Sequence, residues 1–261
     1  MDHQFGGDTM NPYIIEKQKE GYLLFTINRP DKRNAVNYDI IKGLEEAVSK
    51  AAASDVKALV ITGSGDKAFC SGGDLSIFHQ LRTEEEAYEM LIKMARVLTN
   101  VLLLPKPTIA LMNGTAVGGG CEVASACDFR IARQGIKAGF VQGKLAITTG
   151  WGGGSMLLEK LSPANGLKML LEAELYDTST LKELGFLNYI YEGDHQTALN
   201  HYLQHILQLD RDVLSSYKEL LVKKWKVSGI AKRIEEEVSR CSMLWERDEH
   251  HKLVEKFNSK K

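Results

Sequence analysis

An α/β fold is predicted for this chain of 261 residues, and three features of the sequence predict it. Two short apolar runs, ALVIT at 58–62 and TIALM at 108–112, are bounded by turn-forming and charged residues, as strands buried on both faces are. Stretches whose apolar residues recur at helical spacing alternate with them, the pattern of a layered structure with right-handed crossovers. Beyond Trp151 helical spacing dominates, which puts a helical region at the C-terminal end.

Residues 13–28 hold two alternating runs, IIEKQ and YLLFTIN, separated by Glu20 and Gly21, and read as a hairpin. A polar turn follows at 29–34, and the apolar spacing becomes helical over 37–53. After the strand at 58–62 come a long amphipathic helix over 83–103 and the strand at 108–112. Further helices are expected over 154–161, 164–172, 179–184, 196–208 and 212–224, with a last long one from 230 to about 245. The core is assigned to 10–195 and a helical region to 196–261, with no Pro/Ser linker, repeat or low-complexity stretch between them. The helical region is therefore expected to pack on the core or on a neighbouring subunit. Residues 1–9 are expected to be a leader outside the fold.

Apolar residues make up 44% of the chain and charged residues 26%, enough material for a sizeable core. Lys plus Arg number 33 against 34 Asp plus Glu, so no domain-sized basic field is available to hold nucleic acid. The four cysteines, Cys70, Cys121, Cys127 and Cys241, lack both a disulfide framework's density and the CxxC spacing of a zinc site, and read as reduced thiols of a cytoplasmic protein. The most apolar stretch, 101–111, is broken by Pro105, Lys106 and Pro107, short of the ~20 residues that a membrane span needs. A soluble protein without a membrane partner is expected. His201/His205 and His250/His251 have no carboxylate or cysteine at ligand spacing, so no metal is expected.

Two segments exceed a plain structural account: AFCSGGDL at 68–75 and NGTAVGGGCE at 113–122, the first following the ALVIT strand after a short turn and the second following the TIALM strand directly. Each is a glycine-rich turn leading into a helix. Backbone N–H groups at such a place point outward, backed by the positive end of the helix dipole, and glycine lets a ligand approach the main chain. Two such turns facing one point form an oxyanion hole; taken singly, each is also an ordinary tight turn. Neither carries the GxGxxG or Gly-Lys-Ser/Thr pattern of a nucleotide site, so no nucleotide cofactor is expected.

The ordered set NRPDKRNAV (28–36), AFCSGGDL (68–75), NGTAVGGGCE (113–122) and CDFRIA (127–132) closely resembles the crotonase, or enoyl-CoA hydratase/isomerase, superfamily. The resemblance implies a crotonase-like spiral of ββα units, a C-terminal helical region that assembles homotrimers or homohexamers, and an acyl-CoA thioester as substrate. Coenzyme A enters as part of that substrate, and no separate cofactor is implied. Carried over by motif, the thioester oxygen is held by the N–H groups of Gly73 and Gly119. Ala68, Ser71, Gly72, Asp74, Leu75 and Gly118 line the same turns as substrate-binding positions. Lys32 and Arg33 meet CoA phosphates, or form a solvated turn, while Ala35, Ala68 and Leu75 offer backbone to the pantetheine and adenine.

Hydratases of this superfamily flank the double bond with two glutamates. Glu122 stands at the first position; the second aligns with Lys144, to within a position or two, and no carboxylate occurs between Phe140 and Ser155. Adding water across an enoyl thioester takes one group to activate water and another to handle the α-proton, and an ammonium is a poor base for water. The segments from Cys127 to Val141 and from Ile147 to Gly153, with the Leu244-Trp245 and Lys256-Phe257-Asn258 end, resemble the subgroup that decarboxylates ethylmalonyl-CoA and methylmalonyl-CoA. Loss of CO2 yields an enolate directly, after which Glu122 or Lys144 returns a proton. The expected function is therefore decarboxylation of a short alkylmalonyl-CoA. The alternatives are an enoyl-CoA hydratase or isomerase of fatty-acid metabolism, or a catalytically weak acyl-CoA-binding subunit. Glu122 also reads as a helix N-terminal carboxylate, Lys144 as a surface residue, and Trp151 as either acyl-pocket wall or core filling.

Overall fold

The computed structural model describes residues 11–53 and 55–259; the expected leader lies outside the described residues. Strands β1 (Tyr13–Lys17) and β2 (Tyr22–Ile27) form the expected hairpin, with Gly21 at φ +93° in its turn. A 3-10 turn at Pro30–Lys32 leads to α1 (Tyr38–Ala51), capped by the Asn37 side chain, which accepts from Ile40 N at 3.1 Å. Three ββα units follow. Strands β3 (Ala58–Gly63) and β4 (Ala68–Cys70) precede α2 (Leu75–Phe78) and α3 (Glu84–Leu103). Strands β5 (Thr108–Met112) and β6 (Thr115–Val117) precede α4 (Gly119–Ala126). Strands β7 (Phe129–Arg133) and β8 (Lys137–Gly139) precede a 3-10 turn at Gln142–Leu145, then α5 (Gly153–Leu158) and α6 (Pro163–Glu172). After β9 (Tyr176–Asp177), α7 (Thr178–Glu183) and β10 (Tyr189–Tyr191) come α8 (His195–Gln208), α9 (Arg211–Val227), α10 (Ile230–Trp245) and α11 (Asp248–Asn258).

The first strand of each unit joins a six-stranded sheet of order β1-β2-β3-β5-β7-β10, and the second joins a four-stranded sheet of order β4-β6-β8-β9. Pairing is parallel except for β1/β2 and β8/β9. The chain thus steps from sheet to sheet once per unit, the spiral that the motifs imply. Strands β3 and β5 are buried at every residue, as their unbroken apolar runs require. Leu59 and Ile61 enter the main core, whereas Ala58 and Val60 point to a second core on the other face, where Leu199 and Leu203 of α8 cover the sheet.

Helix α3 begins with a capping box: Glu86 N donates to Thr83 Oγ1 at 3.2 Å and the Glu86 carboxylate accepts from Thr83 N at 3.1 Å, worth about 1 kcal/mol. Helix α10 packs along α3 and sends Ile234, Val238, Cys241 and Trp245 into the main core. Ile234 and Val238 each contribute about 1.5–3 kcal/mol on burial. Trp245 Nε1 donates to Leu81 O at 3.0 Å and fixes the far end of α10. The C-terminal helices therefore share the core of the ββα units.

Strands β4, β6, β8 and β9 are not anticipated by the sequence pattern, because two or three residues carry no readable alternation and two of them lie inside the glycine-rich segments. All four cysteines are free and buried. No helix among the described residues is long and apolar enough to cross a membrane.

Candidate active site

The two glycine turns meet because β4 and β6 are parallel neighbours in the small sheet. A β-carbon on Gly72 would lie 3.2 Å from Gly119 N and from Val117 O, and one on Gly120 would lie 2.0 Å from Cys70 O. Only glycine permits these approaches. Gly72 (φ +90°) and Gly118 (φ +56°) also adopt left-handed backbone that a side chain would strain.

Val36 pins the first turn by donating its N–H to Gly72 O and accepting from Asp74 N, each at 2.8 Å. Because successive residues of an extended chain point their N–H groups to opposite sides, this bridge turns the Gly73 N–H away from Val36. Among the described residues neither the Gly73 nor the Gly119 N–H donates to a protein acceptor. Gly119 is the first residue of α4, so the dipole of that helix adds to its N–H. A pair of free, neighbouring N–H groups can bind one oxygen that gains negative charge.

Glu122, one turn into α4, is 2% exposed. Its Oε1 accepts from Gln142 Nε2 at 2.9 Å and Gly150 N at 3.3 Å; its Oε2 accepts from Trp151 N at 2.8 Å and Gly153 N at 2.9 Å. Burial pushes its carboxyl up to about 7, the charge of Glu237 adds to that, and the three backbone N–H groups oppose it. Such a group changes protonation near neutral pH, as a general acid must.

Trp151 is 4% exposed and lies across both turns: a β-carbon on Gly119 would stand 2.3 Å from its Cζ3, and one on Gly73 would stand 3.7 Å from its Cζ2. Phe78 also packs on Gly73, its Cδ2 3.0 Å from the same β-carbon position. The indole thus packs against both glycine turns.

Lys144 is not beside Glu122. Its ammonium pairs with Glu174 at 2.6 Å, with the two side chains 51% and 61% exposed, which places Lys144 on the outer face of its turn. In a 3-10 turn residues three apart share a face, and here Gln142 and Leu145 turn inward while Gly143 and Lys144 face solvent. Gln142 is therefore the residue that this segment delivers. A second carboxylate does approach the site, from α10. Glu237 accepts from Gly154 N at 3.0 Å, Ser155 N at 2.7 Å, Thr149 Oγ1 at 2.5 Å and Ser155 Oγ at 2.6 Å, and so braces the segment on either side of Trp151. No sequence pattern pointed to Glu237, because it reaches the loop only through the packing of α10.

Lys32 and Arg33 are exposed on the turn at 30–33. Buried Asn34 ties that turn to β4, donating to Ala68 O at 2.7 Å and Ser64 O at 2.9 Å. Arg29 donates to Ala35 O at 2.6 Å and pairs with Asp74 at 2.7 Å. The carbonyls of Ala35 and Ala68 are thus engaged within the protein, and Asp74 caps α2 through Ser76 N at 3.1 Å. Ser71 N donates to Arg33 O at 3.2 Å, Gly118 N to Gly139 O at 2.9 Å, and Leu75 O accepts from His79 N at 3.1 Å. Asp74, Ala35 and Ala68 accordingly shape the site from behind. Arg29 and Asn34 were missed, although both stand inside the NRPDKRNAV segment. Beside this turn lies a cleft of about 220 Å³, lined in part by Pro30, Asn34, Asp66, Lys67 and Ala68.

Comparison with known proteins agrees with this architecture. Crotonyl-CoA hydratase of Syntrophomonas wolfei subsp. wolfei is 36% identical over 184 residues, 69% of this chain and 69% of the relative. Ethylmalonyl-CoA decarboxylase of Xenopus laevis is 29% identical over 223 residues, 84% of this chain and 73% of the relative. The crystal structure of enoyl-CoA hydratase from Bacillus halodurans superposes with a TM-score of 0.85 at 24% identity, over 94% of this chain and 99% of that one, and shows the same fold. The enoyl-CoA hydratase/isomerase family profile matches residues 17–261, and the chain belongs to that family, within the crotonase superfamily.

Proposed function

We propose that the protein decarboxylates a short alkylmalonyl-CoA of the ethylmalonyl type. The observation that carries this reading is the partner of Glu122: an amide, Gln142, faces it where hydration calls for a second carboxylate, and Glu237 is occupied with the backbone of α5. The similarity to ethylmalonyl-CoA decarboxylase supports the same reading.

The thioester oxygen accepts the Gly73 and Gly119 N–H groups. The bond between the α-carbon and the substrate carboxylate breaks, CO2 leaves, and the electron pair forms an enolate whose charge the two N–H groups stabilise. Protonated Glu122 then gives its proton to the α-carbon, the thioester carbonyl re-forms, and solvent reprotonates the carboxylate. Lys32 and Arg33 meet the CoA phosphates beside the cleft at Ala68, the pantetheine passes Ser71, Gly72, Leu75 and Gly118, and Trp151 with Phe78 limits the acyl group. The exposed apolar side chains Val213, Tyr217, Leu220, Leu221 and Val227 form a stripe on α9 that suits contact with other copies in a homotrimer or homohexamer.

A second reading, enoyl-CoA hydration with Glu122 acting alone, draws on the higher identity to crotonyl-CoA hydratase. Mass spectrometry after separate incubation with ethylmalonyl-CoA and crotonyl-CoA distinguishes the two. Loss of CO2 from the first, abolished by Glu122→Ala, is the expected result. Gain of water by the second thioester alone overturns the decarboxylase reading.

A further inference from the structure

Half of the Gln142 amide is unused. Nε2 donates to Glu122 Oε1 at 2.9 Å, while Oε1 is sealed from solvent without a hydrogen-bond partner. The amide lies against Gly118, where a β-carbon would stand 3.6–3.8 Å from its Cδ, Oε1 and Nε2, so the idle oxygen sits beside the turn that carries the Gly119 N–H. An acceptor buried without a donor is costly, so the amide gains by any donor that reaches its oxygen.

An amide carries donor and acceptor at opposite ends, and a half-turn about its terminal bond exchanges them. A carboxylate can only accept, so ionised Glu122 holds Nε2 toward itself. A carboxylic acid can donate its O–H to Oε1 while substrate binds, before that proton is delivered to the α-carbon, and this turns Nε2 toward the substrate side. We infer that Gln142 is a positioning and specificity residue that reads the protonation state of Glu122: it offers the acyl group an acceptor when Glu122 is a carboxylate and a donor when Glu122 is an acid, so an anionic malonyl-type thioester is held by the protonated site. The inference rests on the reading that this site takes acyl-CoA thioesters.

Both states of Glu122 are populated near neutral pH, since its carboxyl is raised to about 7. The titratable groups around it are Glu237 and Cys241 on α10 and Cys121 on α4; burial raises both thiols, which stay neutral, and Glu237 alone adds charge. At the other end of the 3-10 turn, His250 of α11 is hydrogen-bonded to Leu145 O at 2.7 Å, and burial lowers its pKa.

The test compares two thioesters that cannot lose CO2, butyryl-CoA and its 2-sulfonate (2-sulfobutyryl-CoA), by calorimetric titration of the whole protein. Wild type, Gln142→Met and the nearly isosteric Gln142→Glu are titrated from about pH 6 to about pH 9. In wild type the preference for the sulfonate over butyryl-CoA falls about tenfold per pH unit above the Glu122 titration, as one-proton linkage requires. In Gln142→Met the preference is small and flat with pH, and in Gln142→Glu it is smaller still. A wild-type preference and slope retained in both variants overturns the role of Gln142 and leaves the acyl-CoA reading standing. Failure of wild type to bind either thioester overturns both.

Discussion

Trp151 lies directly across Gly119, so close that a β-carbon there would stand 2.3 Å from the indole Cζ3. No side chain fits at Gly119 while the ring stays in place. Gly119→Ala must displace the indole or tilt the N–H. Turnover is expected to fall about 100-fold or more, the scale of losing one oxyanion donor, with a shift in tryptophan fluorescence and little loss of folded protein. Trp151→Ala is expected to admit longer acyl chains, read as a rise in the kcat/KM ratio of longer over shorter thioesters. An unchanged ratio would count against Trp151 as the wall of the acyl site.

The raised carboxyl of Glu122 makes stability depend on pH, and with Glu122 as the proposed acid activity follows in the same direction. Its folded value of about 7 lies above the ordinary 4.5, so the native state binds more protons than the unfolded chain between those values. The associated stability is fully present below the unfolded value and is lost as pH rises through about 7, a change on the order of 3 kcal/mol. Denaturant midpoints measured between about pH 5 and about pH 8 should show that decline in wild type, and Glu122→Gln should lack that contribution whatever its absolute stability. The kcat for decarboxylation should fall over the same range as the acid form is depleted.

What could be read in the sequence follows from what each feature needs. Strands β3 and β5 are legible because burial on both faces leaves an unbroken apolar run, and α3 because its apolar residues recur at helical spacing over 83–103. Gly72 and Gly120 are legible as glycines because the backbone of the neighbouring turn comes too close for any side chain. The inward face of the segment after β8 is not, since a 3-10 turn selects Gln142 over Lys144 and the sequence does not disclose that period. Glu237 is hidden for another reason: its partners Gly154 and Ser155 are brought to it by the packing of α10, not by local spacing.

Lys144 supplies a direct check on that placement. Its pair with Glu174 is solvent-exposed, and exposed pairs of this kind contribute about 0–1 kcal/mol. Lys144→Ala is expected to leave kcat/KM within about twofold of wild type. A loss comparable to that of Glu122→Ala would return Lys144 to the chemistry and require the turn at Gln142–Leu145 to rearrange in the working enzyme.

Behind the site, the C-terminal end of α4 is held by a buried charge cluster. Asp128 pairs with Lys218, whose side chain is 3% exposed, and Arg130 and Lys160 lie close by. Lys160 donates to Ser125 O at 2.6 Å and also to Cys127 O, and Arg130 donates to Cys127 O at 3.0 Å, so the last carbonyls of the helix that carries Gly119 and Glu122 are satisfied by cations. Crowding by burial and by neighbouring Arg130 lowers the Lys160 ammonium to about 7, while the charge of Asp128 supports it. Removing the carboxylate leaves Lys218 buried without its counter-charge. Asp128→Asn is therefore expected to cost about 3–5 kcal/mol in denaturant unfolding. The double replacement Asp128→Asn with Lys218→Met should recover part of that loss, because it takes away the stranded charge as well. A double variant no more stable than Asp128→Asn would mean that Asp128 acts through Thr108, whose N–H and hydroxyl both donate to it, rather than through Lys218.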